Sequence, residues 1–134
     1  MKVFFDTNVL ISAFITRGLS NEIVQDIIAR HHPQTGELVI DEYERVLKRK
    51  FSLNPELIDA TIEYIRTFDI AQTPLDHLPF EGLNEMDALI LTSAIHAKAE
   101  VFATGDSDFL KLQKETHGIK ILSPRDLWKM LQVS

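Results

Sequence analysis

Cysteine is absent from the 134 residues of this sequence. The chain therefore has no disulfide bond, no thiolate zinc site and no cysteine nucleophile. No apolar run approaches the roughly 18 residues of a membrane-spanning helix. The opening MKVFFDTNVLISAF is basic and then apolar, but Asp6 and Asn8 interrupt it and no small-residue cleavage site follows. It predicts a first strand and helix rather than a signal peptide, so we expect a cytoplasmic protein with no membrane partner.

A surplus of basic residues is missing too, since the net charge at pH 7 is −6. The hydrophobic fraction of 45% and the charged fraction of 25% are typical of globular proteins, and the length predicts one domain over residues 1–134. An acidic balance argues against a nucleic-acid partner. That objection weakens if several carboxylates converge on a divalent cation, because the ion reverses the local field. The placement of the acids therefore decides the question.

What the sequence does contain is an alternation of apolar strands and helices. Short apolar runs predict buried strands at Val3–Phe5, Leu38–Ile40, Glu100–Thr104 and Lys120–Leu122. The segment from Ala71 to Leu83 is predicted to be a loop with room for one edge strand. This alternation predicts an α/β fold of three layers, with helices on both faces of a short, mainly parallel sheet.

Helical spacing and capping residues predict the helices between these strands. They cover Asn8–Phe14, a segment between Ser20 and Pro33, Glu42–Lys50 behind a cap at Asp41, a segment from Asn54-Pro55 to Phe68, Glu85–Lys98, a segment that ends at Glu115, and a terminal helix from Ser123-Pro124 onward. In the fourth of these helices, the residues predicted to face inward are Leu57, Ile58, Ile62, Ile65 and Phe68.

Four acidic residues fall where predicted strands give way to helices. Asp6 and Asp106 each follow a strand directly, and Glu42 and Asp87 each lie in the first turn of a predicted helix. Ligands of parallel sheets bind beyond the carboxyl ends of the strands, so all four are expected along one sheet edge. Each acid alone could be an ordinary cap, turn residue or partner of a helix dipole.

Collected at one edge, these carboxylates repel one another, and a fold without a cation gains nothing from placing them there. Ligands that are all oxygen, in a chain without cysteine, favour Mg²⁺ or Mn²⁺. The chemistry that such a site serves is metal-assisted hydrolysis of a phosphodiester. The acids therefore predict a metal-dependent hydrolase.

Two arginines share the Glu42 side of its predicted helix. Arg45 and Arg49 lie three and seven residues after Glu42, and Lys48 is close by. One interpretation is a row that binds substrate phosphates beside the metal. The other is a solvated helix face with ion pairs along the helix. The sequence leaves both interpretations open.

Three segments that together span nearly the whole chain resemble one known family. They are VFFDTNVLISAF at the start, VIDEYERVLKRKF in the middle and MDALILTSAIHAKAEVFATGDSDFL near the end. These segments resemble the PIN domain, in particular the VapC-like toxin components of bacterial and archaeal toxin–antitoxin pairs. The resemblance implies a Mg²⁺- or Mn²⁺-dependent endoribonuclease whose substrate is RNA. It also implies a cognate antitoxin protein as partner and an assembly of two or more copies.

The same resemblance implies roles for individual residues. The four acidic positions of the family, which bind metal and act in catalysis, correspond to Asp6, Glu42, Asp87 and Asp106. Asp108 corresponds to an additional acid near the metal. Asn8 matches a common polar residue two places after the first aspartate and, with Arg45 and Arg49, is predicted to contact the substrate.

One position departs from the family pattern. Many relatives carry two adjacent acids before the apolar helix, whereas Met86 precedes Asp87 here and Glu85 stands one residue further back. The geometry of the ligands at that corner is therefore the part of the site that the resemblance defines least.

Two alternative functions share parts of this pattern. A haloacid-dehalogenase-like phosphatase also has an aspartate after its first strand and a late Gly-Asp motif. Its chemistry needs a second aspartate two residues after the first, and Asn8 occupies that position and cannot exchange a proton. The other alternative is a catalytically idle PIN-like binding module, against which the complete set of acids argues.

Overall fold

The computed structural model describes residues 1–133, and Ser134, the last residue of the predicted domain, lies outside this range. The strands are β1 (Lys2–Phe5), β2 (His32–Gly36), β3 (Asp69–Ala71), β4 (Val101–Ala103), β5 (Glu115–Thr116) and β6 (Ile119–Leu122). The α-helices are α1 (Thr7–Ile11), α2 (Leu19–Arg30), α3 (Glu37–Val46), α4 (Pro55–Ile65), α5 (Glu85–His96), α6 (Ser107–Leu110) and α7 (Pro124–Val133). Two π-helical turns, Ser12–Thr16 and Leu47–Phe51, directly continue α1 and α3.

The strands form one sheet in the order β3-β2-β1-β4-β6-β5. Neighbouring strands run parallel except β5 and β6, which are antiparallel. Phe4 of β1 lies opposite Phe102 of β4, and their rings stack with centroids 5.4 Å apart. Helices flank the sheet, so the predicted three-layer α/β fold with a mainly parallel sheet is confirmed.

The strand order reverses between β1 and β4. From β1 the chain adds β2 and then β3 on one side of the sheet, whereas β4 and β6 lie on the other side. Helices that follow two such strands diverge to opposite faces, and a crevice opens at the carboxyl ends of the strands. The backbone N–H of Asp6 donates to the carbonyl of Ala103 at 3.0 Å. The residues that directly follow β1 and β4 therefore lie next to each other.

The predicted strand at Leu38–Ile40 is wrong. Those residues belong to α3, and the strand is the preceding, polar segment β2. A short apolar run does not distinguish a buried strand from a buried helix turn. Two polar side chains of β2 are buried, and each donates a hydrogen bond: Gln34 Nε2 to the carbonyl of Ala97 at 3.3 Å and Thr35 Oγ1 to that of Phe5 at 2.9 Å. Gln34 Oε1 has no hydrogen-bond partner within residues 1–133.

This error shifts the start of the third helix. Helix α3 begins at Glu37 behind Gly36, so Asp41 is not its cap. Glu42 consequently lies in the second turn of the helix and not in the first, as predicted.

Two smaller predictions are also wrong. Helix α6 ends at Leu110, and Glu115 belongs to β5 rather than to a helix. The turn between β5 and β6 consists of His117 and Gly118, both with positive φ (51° and 81°), as a two-residue hairpin requires. In α4, Leu57 is 49% exposed, so its predicted inward position is incorrect, although Ile58 and Ile65 are buried as expected.

The helices of residues 1–133 include none that is both long enough and apolar enough to cross a lipid bilayer.

Gly36, the last residue of β2, permits close packing behind the site. A Cβ added there would lie 3.3 Å from Phe4 Cζ and 3.4 Å from Ser93 Oγ. We expect Gly36→Ala to lower stability by about 1–3 kcal/mol through overpacking, or about 2–8 °C in Tm per kcal/mol. Gly18→Ala, whose Cβ would meet no atom within 4 Å, is the control; it loses only the preference for glycine at the N-cap of α2, about 1 kcal/mol or less, and should change Tm less. Equal shifts in thermal melts of the two variants would contradict this packing role.

Candidate active site

A cavity of about 200 Å³ lies beyond the carboxyl ends of β1 and β4. The four acids predicted from the sequence all line it, together with polar and apolar neighbours: Asp6, Thr7, Asn8, Ile11, Glu42, Val46, Asp87 and Asp106. A larger cavity of about 450 Å³ lies elsewhere, between the first helices and α4, and no acidic residue lines it. The smaller cavity is therefore the candidate site, because the titratable groups converge there.

Asp6 is the most deeply placed acid, with only 3% of its surface exposed. Its Oδ1 accepts the backbone N–H of Thr7 at 2.8 Å. Its Oδ2 accepts the Asn8 side-chain amide at 3.1 Å and the Thr104 hydroxyl at 2.8 Å. Thr7 and Asn8 thereby orient Asp6 through local hydrogen bonds. Both oxygens of this carboxylate are thus fixed by two residues of α1 and by the residue that follows β4.

Burial raises the pKa of Asp6 from 3.8 to about 6, because the charged form loses its hydration. The hydrogen bonds from Thr104 and Thr7 act in the opposite direction. The negative charges of Glu42 and Asp87 raise the pKa further. The protein alone therefore does not fully stabilise the negative charge of ionised Asp6.

Asp87 lies in the first turn of α5 and is half-buried. Asn84 caps this helix, and its Oδ1 accepts the Asp87 backbone N–H at 2.8 Å. Burial raises the pKa of Asp87 from 3.8 to about 6, and the charges of Asp106, Glu42 and Asp108 add to the rise. A carboxylate that only complemented the helix dipole would have its pKa lowered, so burial and the surrounding acids together outweigh the dipole here.

Asp106 directly precedes α6, and Asp108 lies in the first turn of that helix. Asp106 is the N-cap of α6, and its Oδ1 accepts the Asp108 backbone N–H at 2.9 Å. The backbone N–H of Asp106 in turn donates to the Thr104 hydroxyl at 3.0 Å. Asp108 is exposed, and it does not line the cavity as Asp106 does.

Glu42 reaches the cavity from α3. It is half-buried, and its Oε1 accepts a short hydrogen bond from the Thr7 hydroxyl. Its charge contributes to the raised pKa of both Asp6 and Asp87, so it acts electrostatically on both. Although its place in the helix was mispredicted, its side chain lies at the predicted sheet edge.

The donor set of this site fits a hard divalent cation. Asp87, Asp106 and Asp108 each offer one carboxylate oxygen, and these oxygens all lie within 4.8 Å of one another. Oxygen donors of this kind are the ligands that Mg²⁺ and Mn²⁺ prefer in proteins. Burial, with the neighbouring negative charges, raises the pKa of Asp6 and Asp87, so their ionised forms lack stabilisation. A bound cation would supply it.

The residues predicted to contact substrate occupy different environments. Asn8 lines the cavity, but both ends of its amide bind the protein, since its Oδ1 also accepts the Gly105 N–H at 2.7 Å. Arg45 and Arg49 are exposed and do not line the cavity. Lys48 pairs with Glu44 at 3.1 Å, whereas neither arginine takes part in an ion pair within residues 1–133.

Sequence reasoning missed two hydroxyl groups at the centre of this network. Thr104 connects Asp6 to the Asp106 backbone, and Thr7 connects to Glu42 through its side chain. Thr104 could have been noticed as the polar residue that ends an otherwise apolar strand. The contact between Thr7 and Glu42 spans 35 positions and has no local signal in the sequence.

Comparisons with known proteins agree with this fold. A family model described as PIN domain matches residues 3–115. One similar solved structure is that of VapBC2 from Rickettsia felis, described as bound to a DNA fragment from their promoter. It matches this chain with a TM-score of 0.66 at 14% sequence identity, and the match covers 92% of this chain and 98% of that chain. Mycobacterium tuberculosis VapC20, described as a Sarcin-Ricin loop cleaving toxin, has a TM-score of 0.57 at 13% identity, with coverages of 88% and 98%. No curated protein matches the sequence.

The raised pKa of Asp6 leads to a prediction about the metal-free protein. A folded-state pKa of about 6, above the ordinary 3.8, contributes stability below pH 3.8 that is lost as the pH rises through 6. Asp6→Asn nearly keeps the shape and removes this charge. We therefore expect the variant to melt higher than wild type in EDTA above pH 6, and the difference to vanish near pH 4.

Thermal melts of both proteins in EDTA and in Mg²⁺ measure this effect. Added Mg²⁺ should stabilise wild type, because it binds the folded state, and should stabilise Asp6→Asn much less. If the variant melts lower in EDTA and responds to Mg²⁺ like wild type, Asp6 has a purely structural role.

Proposed function

We propose that this chain, which belongs to the PIN domain family, is a Mg²⁺- or Mn²⁺-dependent endoribonuclease that hydrolyses RNA phosphodiester bonds. The observation that carries the proposal is the convergence of four carboxylates on one cavity at the strand reversal, two of them with a pKa raised to about 6. Such a cluster opposes folding unless a cation compensates it. A function that requires a bound cation at this site would explain why the four carboxylates converge there.

In this proposal Asp87, Asp106 and Asp108 bind the cation, with Asp6 and Glu42 completing the acidic set. When bound, the cation supplies polarisation of the phosphodiester and makes an attacking water more acidic. Thr104 and Asn8 keep the Asp6 carboxylate oriented. The cavity is small and open to solvent, which suits one phosphodiester group of a longer chain rather than an enclosed small molecule.

The choice of RNA as substrate rests on family resemblance and on chemistry. VapC20 is described as a toxin that cleaves the Sarcin-Ricin loop, and its fold is similar to that of this chain. The net charge of −6 would repel RNA without a cation. We propose that Arg45 and Arg49, exposed on the helix that carries Glu42 and on its π-helical extension, contact the RNA phosphates and offset part of this repulsion.

We further propose that the enzyme is the toxin of a toxin–antitoxin pair in the cytoplasm. The similarity to VapBC2 and VapC20 supports a cognate antitoxin as its protein partner, and an assembly of two or more copies is expected from the family resemblance. A small neighbouring gene that encodes a DNA-binding protein, and co-purification of its product with this chain, would support the role. Growth that is unaffected by expression of the chain alone would contradict it.

RNA cleavage by the purified protein tests the proposed chemistry. We expect cleavage with Mg²⁺ or Mn²⁺ and none in excess EDTA, because the acids alone repel the phosphodiester. Asp6→Asn is the matched inactive control. Equal cleavage in EDTA would overturn the metal dependence. Hydrolysis of small phosphate esters without any action on RNA would favour the phosphatase, and no activity with any of these substrates would favour the idle binding module.

Asp106 and Asp108 should contribute unequally to cleavage, because Asp106 lines the cavity and Asp108 is exposed. We expect Asp108→Asn to lower kcat/KM by about 10-fold and Asp106→Asn by about 100-fold, because water can replace an exposed carboxylate ligand more readily than a half-buried one. Asparagine is as good an N-cap as aspartate, so Asp106→Asn should leave α6 intact. Equal losses in the two variants would show that this division of the acids is wrong.

A further inference from the structure

Thr7 contributes to the site through two separate groups. Its backbone N–H donates to Asp6 Oδ1 at 2.8 Å, and its hydroxyl donates to Glu42 Oε1. The residue is the first of α1 and is buried, with 5% of its surface exposed. The hydrogen bond of the hydroxyl to Glu42 is therefore independent of the backbone hydrogen bond to Asp6. A substitution that changes only the side chain removes the first bond and keeps the second.

Electrostatic repulsion disfavours the position of the Glu42 carboxylate inside the cavity. Its carboxylate interacts with those of Asp6 and Asp87, both negatively charged when ionised. A glutamate side chain has three rotatable bonds, and repulsion favours rotamers that point into solvent. Among residues 1–133, the Thr7 hydroxyl is the one hydrogen-bond donor to this carboxylate.

A charge-assisted hydrogen bond from a buried hydroxyl is strong enough to compete with such repulsion. Hydrogen bonds to charged groups contribute roughly 1.5–3 kcal/mol, more than the bonds between neutral groups. Thr7 is the first residue of α1 and follows Asp6 directly, so the position of its hydroxyl is fixed by the helix start. Glu42, on a separate helix, is thereby tied to the strand end that carries Asp6.

We propose that Thr7 is a positioning residue whose hydroxyl holds the Glu42 carboxylate in the cavity, beside Asp6 and Asp87, in the orientation needed to bind the cation. This role rests on the proposed metal-dependent function. It explains how a residue in the second turn of α3 joins acids that lie at the strand ends and in the first turn of α5. It assigns to Thr7 a side-chain function distinct from its backbone contact with Asp6.

Mn²⁺ binding tests the proposal without any need for cleavage. The electron paramagnetic resonance signal of free Mn²⁺ gives the Kd of wild type, Thr7→Val, Thr7→Ser, Glu42→Ala and the double variant Thr7→Val/Glu42→Ala. Valine keeps the shape and the backbone N–H of Thr7 and removes only the hydroxyl. We expect Thr7→Val to weaken binding by about 10-fold or more, as loss of an outer partner of a ligand does. Thr7→Ser, which retains the hydroxyl, should restore most of the affinity.

The double variant distinguishes positioning from a general structural effect. If Thr7 acts through Glu42, Thr7→Val should add no further loss once Glu42 is alanine. The matched control is Thr92→Val, which removes another fully buried hydroxyl, one that accepts the Leu78 N–H at 3.0 Å outside the cavity. It should change Tm but leave the Kd for Mn²⁺ unchanged.

Two outcomes would overturn the positioning role alone: wild-type Mn²⁺ affinity in Thr7→Val, or an equal loss from Thr7→Val with and without Glu42. If wild type itself binds no Mn²⁺, both the proposed metal-dependent function and this role fail. The two failures are thus distinguished by the wild-type titration.

Discussion

Repulsion among carboxylates that the fold holds at one sheet edge is the constraint on which this site depends. The protein compensates part of it with hydrogen bonds from Thr7, Asn8 and Thr104 to Asp6. The pKa of Asp6 nevertheless rises from 3.8 to about 6, first because burial strips the carboxylate of its hydration and then because of the charges of Glu42 and Asp87; at about 1.4 kcal/mol per unit this is on the order of 3 kcal/mol. A network of neutral donors thus orients the acids but does not neutralise them, and a cation is the group that can do so.

The topology of the sheet explains why the acids meet. Because the strand order reverses between β1 and β4, the residues that follow these strands are neighbours although they are far apart in sequence. Thr104 shows how closely the two strand ends are coupled, since its hydroxyl donates to Asp6 and accepts from the Asp106 backbone. Helices α3 and α5 then bring one acid each from outside the strands. The rigid strand ends define the site, and the helices complete it.

Much of this arrangement could be predicted because buried strands and capped helices leave local signals. The apolar strand before Asp6 and the start at Glu85 of the helix that carries Asp87 were predicted correctly, and so was the three-layer fold. The polar strand β2 was missed because its burial depends on its neighbours β1 and β3, which no window of the sequence reveals. That error displaced the start of α3 and hence the place of Glu42 in its helix.

The hydrogen bonds that orient the acids could not be predicted from the sequence, for a different reason. Hydrogen bonds such as those from Thr104 to Asp6 and from Thr7 to Glu42 join residues 98 and 35 positions apart. Their geometry follows only from the packed structure. Residue type and local position could therefore indicate the acids, whereas the hydroxyl groups that hold them are evident only in the folded structure.

The proposed function requires that these acids form one cation site at the carboxyl ends of β1 and β4. Two-dimensional ¹H–¹⁵N NMR with substoichiometric Mn²⁺ tests it most directly, because the paramagnetic ion broadens the signals of nearby amides. We expect the strongest broadening of the amide signals of Thr7, Ala88 and Gly105, and the weakest broadening of those of His32 and Glu100 near the opposite ends of the strands. Broadening centred away from the cavity, or spread evenly over the surface acids, would contradict it.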